Sequence, residues 1–322
     1  MRRLTLGTLL LALLASATIS GTTYAAARPE AGSASSAPLV RDLTWRACQA
    51  GTDDEQGKAL DEAGATCTTV RVPLDHLRPD GRTVEIAISR IKADPAKRRG
   101  ILLSNPGGPG GPGIAYPLEL RPLLGDVASQ YDLIGFDPRF MGRSAPVDCG
   151  PVRLSDLFRS PVTRVAFGAA ARLGARFAAD CRTRNPGVLR YASIGQVARD
   201  MDAIRVALDE QRLSYYGVSW GADLGVVYSQ LFGVRVDRLV IDSVTDVEGS
   251  EYHHLATGEG AEAAFDEWAA WAAWRDSQYH LGRTGLQVRA VVTRLRSKDD
   301  PGWGLSHRRL RVALGAFVGA GG

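Results

Sequence analysis

Gly217-Val218-Ser219-Trp220-Gly221 constrains this chain more than any other stretch. The pattern Gly-x-Ser-x-Gly marks a sharp turn that lifts a serine from the end of a strand into the first turn of a helix. The flanks agree: Leu213–Val218 reads as a short buried strand, and Ala222–Phe232 continues as an apolar, helix-compatible run. A serine in such a turn takes a strained backbone, and glycines beside it let strand and helix approach closely. Ser219 is therefore the candidate nucleophile. A chance glycine-rich turn is the alternative, and the strand and helix on either side weigh against it.

Strand-like and helix-like segments alternate around this turn. Thr68–Pro73 and Thr83–Lys92 read as two strands joined by Arg78-Pro79-Asp80-Gly81. In the second, Val84, Ile86, Ile88 and Ile91 nearly alternate with polar residues. Ile101–Ser104, Tyr131–Phe136 and Arg238–Asp242 are further compact strands. Helical patterns cover 165–183 and Ser193–Glu210, the latter with a capping box from Ser193 and Gln196. This alternation predicts an α/β fold with a mostly parallel sheet covered on both faces. After Val247 the pattern turns helical, with Phe265, Trp268 and Trp271 on one side of Glu259–Trp274 and further helices at Leu286–Leu295 and His307–Val318. We read this as the start of a helical lid whose tryptophans form its core or its contact with the body. The expected organisation is a leader at 1–27, a flexible segment at 28–42, the core at 43–247 and a partial lid at 248–322.

The leader rests on Arg2 and Arg3, the apolar Leu4–Ile19 and the small-residue site Ala25-Ala26-Ala27, and it predicts secretion. Its apolar run is short and interrupted by Thr and Ser, which disfavours a membrane anchor; no stable membrane association is expected after cleavage. In an oxidising compartment Cys48, Cys67, Cys149 and Cys181 form two disulfides. Of three connectivities we expect the sequence-local one, Cys48–Cys67 and Cys149–Cys181. No Cys-x-x-Cys is present, so no zinc or other metal site is expected. The net charge of +4 and the lack of a dense basic run exclude a nucleic-acid surface.

An acyl-transferring serine needs donors for the oxyanion, a base, and an acid to orient that base. One donor is the backbone N–H of Trp220, directly after Ser219. The other is expected from the loop Asn105-Pro106-Gly107-Gly108-Pro109-Gly110-Gly111-Pro112-Gly113, and we place it at Gly108. A strand leads straight into that loop, which argues against a linker, and no Gly-Lys-Ser/Thr follows to make it a phosphate loop.

Asn105-Pro106-Gly107-Gly108-Pro109-Gly110-Gly111 after a strand, Gly135-Phe136-Asp137-Pro138-Arg139, and Ala198–Arg205 ahead of Tyr216–Gly221 form an ordered set. From Trp45 to Arg296 the chain resembles the secreted actinobacterial tripeptidyl-aminopeptidase-like hydrolases, which belong with the prolyl aminopeptidases. The resemblance implies an α/β-hydrolase fold and cleavage of short peptides from the free amino end. It also implies an acyl-enzyme on Ser219, with no metal or organic cofactor. A secreted esterase shares the same turn and is an alternative.

The resemblance also exposes departures. Phe140 stands where the family has a turn glycine, so that loop is expected to be locally strained or differently routed. In this fold the acid and the histidine follow the nucleophile on loops after later strands. After Ser219 only one convincing strand and the lid are apparent, so the last core strands, the acid and the base are expected beyond Gly322. A truncated, non-catalytic homologue is thus a second alternative. Of the histidines, His76 reads as a surface or turn residue, His253 and His254 lie at the lid entrance, and His280 and His307 lie in the lid. None is assigned as base. Asp242, ending the last strand, reads as a structural contact, with Asp246 and Asp223 weaker candidates for the acid. Glu248, Glu251, Glu259 and Glu262 read as exposed helix charges.

Overall fold

Six strands form one sheet, and the order in which they lie fixes where a ligand can sit. The computed structural model describes residues 43–151, 164–245 and 250–297. The strands are β1 (Thr66–Pro73), β2 (Thr83–Ile91), β3 (Gly100–Asn105), β4 (Tyr131–Phe136), β5 (Leu213–Val218) and β6 (Val236–Asp242). They lie in the order β1-β2-β4-β3-β5-β6. β1 pairs antiparallel with β2, and β2 with β4, while β4, β3, β5 and β6 run parallel. The chain leaves β3 on one side to form β4, then crosses back to form β5. The carboxyl ends of β3 and β5 therefore flank a topological switch point, the place where parallel sheets bind ligands.

The helices are α1 (Glu55–Glu62), α2 (Tyr116–Leu124), α3 (Arg164–Arg184), α4 (Ile194–Ala207), α5 (Trp220–Phe232), α6 (Ser250–Ala273), α7 (Asp276–Tyr279) and α8 (Gly285–Ser297). Side chains alternate along the strands, so each strand feeds two cores. On one face Ile86, Ile88, Leu103, Ile134 and Phe136 pack with Met201 and Ile204 of α4 and Leu224 and Tyr228 of α5. On the other, Ala87, Ile91, Leu102 and Leu133 pack with Leu60 of α1 and Leu120 of α2. Each such fully buried aliphatic side chain contributes roughly 1.5–3 kcal/mol. The alternation of β2 predicts one wet face, yet Ala87 and Ser89 are also buried, because β2 lies between two strands and under helices on both sides.

Ser193 caps α4 as the sequence predicts, its hydroxyl accepting from Gln196 N at 3.4 Å. The reciprocal half of the box is not made: Gln196 Oε1 instead accepts from the backbone N–H of His76 at 3.2 Å. Both disulfides have the expected partners, Cys48–Cys67 and Cys149–Cys181. Phe140 is buried with φ of 69°, so the strain expected from its replacing a glycine is present.

The helical region departs from its expected core. Ala269, Ala272 and Ala273 of α6 pack on Val288 of α8, with Trp268 partly buried beside them. Trp271 instead faces outward against Tyr279 and Arg275. The face of α6 that meets Val288 is thus made of alanines, with the larger rings beside it. Among the described residues no helix is long and apolar enough to cross a membrane, and no group of His, Cys, Asp and Glu could hold a metal ion. The leader, the segment 28–42, Asp246, Glu248, His307 and the stretch 307–318 lie outside the described residues.

Candidate active site

Ser219 sits between β5 and α5 with φ 54° and ψ −126°. A non-glycine residue in that region costs on the order of 1–3 kcal/mol and persists only where its surroundings over-determine it. They do so here. Val218 is in register with Asp242 of β6, and Ser219 N donates to Asp242 O at 2.9 Å. The Ser219 carbonyl accepts from Ala222 N at 2.7 Å and Asp223 N at 3.2 Å, starting α5. A Cβ on Gly217 would stand 2.2 Å from Gly221 O, so strand and helix close on each other only with glycine there. The hydroxyl of Ser219 makes no hydrogen bond with a described residue.

Trp220 begins α5, so its N–H has no acceptor within the helix and stands at the positive end of the helix dipole. The glycine-rich loop after β3 comes against this turn through Gly107, the residue before the one the sequence singles out. A Cβ on Gly107, whose φ is 93°, would lie 2.3 Å from Val218 O and 3.1 Å from Ser219 Cβ. The N–H of Gly107 is already committed, donating to Asn105 Oδ1 at 2.9 Å. Among the described residues the N–H of Gly108 has no partner. The sequence signal for Gly107 is weak, because five glycines share the loop and only contact with the neighbouring turn tells them apart.

The candidate base and acid residues are placed as follows. His76 is not a loose surface residue: its Nε2 lies 2.7 Å from Asp200 Oδ1, whose carboxylate also takes Arg139 Nε at 2.7 Å. Arg139 and Asp200 are both buried, and Arg139 further donates to the carbonyls of Leu74 and Pro73. That network joins the end of β1, the loop after β4 and α4. His280 is the exposed left-handed cap of α7, and His253 and His254 fall in the first turns of α6. Asp223 is buried and accepts from Thr245 N at 2.9 Å and Thr245 Oγ1 at 2.7 Å, tying α5 to the chain beyond β6. Glu262 is exposed and pairs with Arg289.

Asp242 is exposed, accepting from Tyr216 OH at 3.2 Å and Ser243 Oγ at 2.8 Å. Burial, then the neighbouring Tyr216, Glu119 and Asp242, push the Tyr116 phenol up to about 12. Burial and the Asp242 carboxylate raise Tyr216 as well. Both shifts favour the neutral phenol, and Tyr216 OH donates a hydrogen bond to the Asp242 carboxylate.

Residues 100–283 match the family model of the alpha/beta hydrolase fold. The chain is 35% identical over 245 residues to tripeptidyl aminopeptidase of Streptomyces lividans, a match covering 72% of this chain and 45% of that one. It is 31% identical over 240 residues to the serine protease Hip1 of Mycobacterium tuberculosis, with 72% and 45% covered. To carboxylesterase B of the same organism it is 33% identical over 289 residues, with 85% and 53% covered. The chain thus spans about half the length of the relatives it matches.

Proposed function

The chain belongs to the α/β-hydrolase fold family, and we propose that within it the protein is a secreted serine hydrolase of the tripeptidyl- and prolyl-aminopeptidase type. Its substrates are short peptides with a free amino end. The observation that carries this reading is the backbone of Ser219, held at positive φ between strand and helix, with no hydrogen bond to its hydroxyl among the described residues. In the proposed reaction Ser219 Oγ attacks the scissile carbonyl carbon and its proton passes to a general base. The oxyanion takes the N–H groups of Trp220 and Gly108. Collapse of the tetrahedral intermediate breaks the C–N bond, and the departing amine takes the proton from the base. Water then hydrolyses the acyl-serine by the same route. No metal or organic cofactor enters. The apolar leader and the two disulfides support secretion.

Two other readings have observations in their favour. Carboxylesterase B matches the largest share of this chain among the relatives named, which favours an ester substrate. A non-catalytic homologue is favoured by Ser219 Oγ having no histidine partner among the described residues. A fluorophosphonate probe together with aminoacyl anilides, tripeptidyl anilides and short acyl esters separates the three. The peptidase reading expects labelling and anilide turnover, both abolished in Ser219→Ala. Ester turnover without anilide turnover replaces it with the esterase, and a folded protein that takes no label replaces it with the non-catalytic homologue.

A further inference from the structure

We infer that Asp137 is a positioning residue for the oxyanion site, acting through the glycine-rich loop that carries Gly108; the inference rests on the nucleophile reading above. Asp137 follows β4 and is fully buried. Its Oδ1 accepts from Gly113 N and Ile114 N, each at 2.9 Å, and its Oδ2 from Arg143 N at 2.7 Å. Among the described residues no cation pairs with it. Three peptide N–H groups from two separate loops meet the need that a buried carboxylate has for partners.

The identity of those loops separates this arrangement from ordinary core satisfaction. Asp132, at the other end of β4, is also buried and accepts from Ala93 N at 2.8 Å and Arg98 Nε at 3.2 Å, far along the strand from Ser219. Asp137 instead holds the far end of the loop that abuts the nucleophile. Five glycines in nine residues make that loop costly to order. Its near end is pinned by Asn105 Oδ1 on Gly107 N at 2.9 Å, and its middle by Gly111 N on Gly107 O at 3.3 Å. The Asp137 carboxylate closes the third point, so Gly108 is held between two fixed ends. An oxyanion donor works by standing in place before charge develops, and losing one costs about 10²–10³-fold in rate. Loosening the loop forfeits part of that.

The test compares Asp137→Asn and Asp137→Ala in the full chain, with Asp132→Asn as the comparator. A fluorophosphonate places its phosphoryl oxygen where the oxyanion forms, so its labelling rate at Ser219 reads the site directly. Asparagine keeps one acceptor oxygen for three donors and alanine keeps none. Labelling is expected to slow several-fold in Asp137→Asn and about 10–100-fold in Asp137→Ala. Hydrogen exchange at Gly113 and Ile114 should quicken in the same order, and on any turned-over substrate kcat should fall with KM little changed. Asp132→Asn should lower the unfolding midpoint and leave the labelling rate alone. If Asp137→Ala does not fold, wild type against Asp137→Asn decides by the same two readouts. Wild-type labelling in the folded Asp137 variants overturns the inference. So does slower labelling without faster exchange at Gly113 and Ile114, or equal slowing in Asp132→Asn. A wild-type protein that takes no label overturns the nucleophile reading, and this inference with it.

Discussion

β4 and β6 are both strands of the parallel block, in opposite circumstances. β4 carries one charge, Asp132, and β6 three, Asp237, Arg238 and Asp242, and every residue of β4 is buried while none of β6 is. β4 lies between β2 and β3, with helices over both faces, whereas among the described residues β6 pairs with β5 alone. Strand composition thus records the surroundings a strand suits, and burial records the neighbours it has. Among the described residues Val240 and Ile241 of β6 are 50% and 38% exposed. The nucleophile lies on the boundary between the two regimes. Its side of the sheet is the packed block of β3 and β5, and its backbone N–H is bound to the exposed strand.

Paired truncations are the sharpest way to break this contrast. Ile134→Ala in β4 removes a side chain with 0% exposure and should cost about 2–5 kcal/mol, while Val240→Ala in β6, at 50% exposure, should cost under about 1 kcal/mol. Equal shifts in urea denaturation midpoint would remove the distinction. Next in size is Gly107→Ala, which forces a methyl group to within 2.3 Å of Val218 O. We expect a loss of about 1–3 kcal/mol and at least a tenfold fall in the fluorophosphonate labelling rate of Ser219. Wild-type labelling in that variant would show that the boundary is softer than its contacts imply.

The smallest effect concerns the far flank of the block, where Asp54 caps α1. Backbone N–H groups of Ala50 and Gly57, followed by Arg143, hold its carboxyl below its ordinary value of 3.8. A depressed carboxyl contributes stability that is present above that ordinary value and lost as pH falls through the folded one. Below about pH 4, wild type should therefore lose stability more steeply than Asp54→Asn, measured by chemical denaturation across pH 6 to 3.

Much of the block was legible because its signals are local. β4 and β5 occupy the residues that their apolar runs predict, and β6 starts two residues earlier than expected, at Val236. α1 and α2 carry no such signal. α1 buries only Gly57 and Leu60, and α2 contains Pro117 and Pro122, which read as breakers although one sits harmlessly in the first turn. The same limit holds at the site. Ser219 stands out from five consecutive residues, while Gly107, the His76–Asp200 contact and the three bonds of Asp137 depend on segments far apart in the chain. Trp271 likewise meets Tyr279 of α7 rather than the Val288 contact of its own helix, a pairing made by a later segment of the chain.

The bond from Ser219 N–H to the carbonyl of Asp242 has a mechanical meaning. It lies at the carboxyl end of the β5–β6 ladder, where the chain runs on toward α6. Three residues beyond Asp242, Thr245 is fastened twice to Asp223 on α5. The rung and this double fastening together clamp the chain leaving β6 to both the strand and the helix that meet at Ser219.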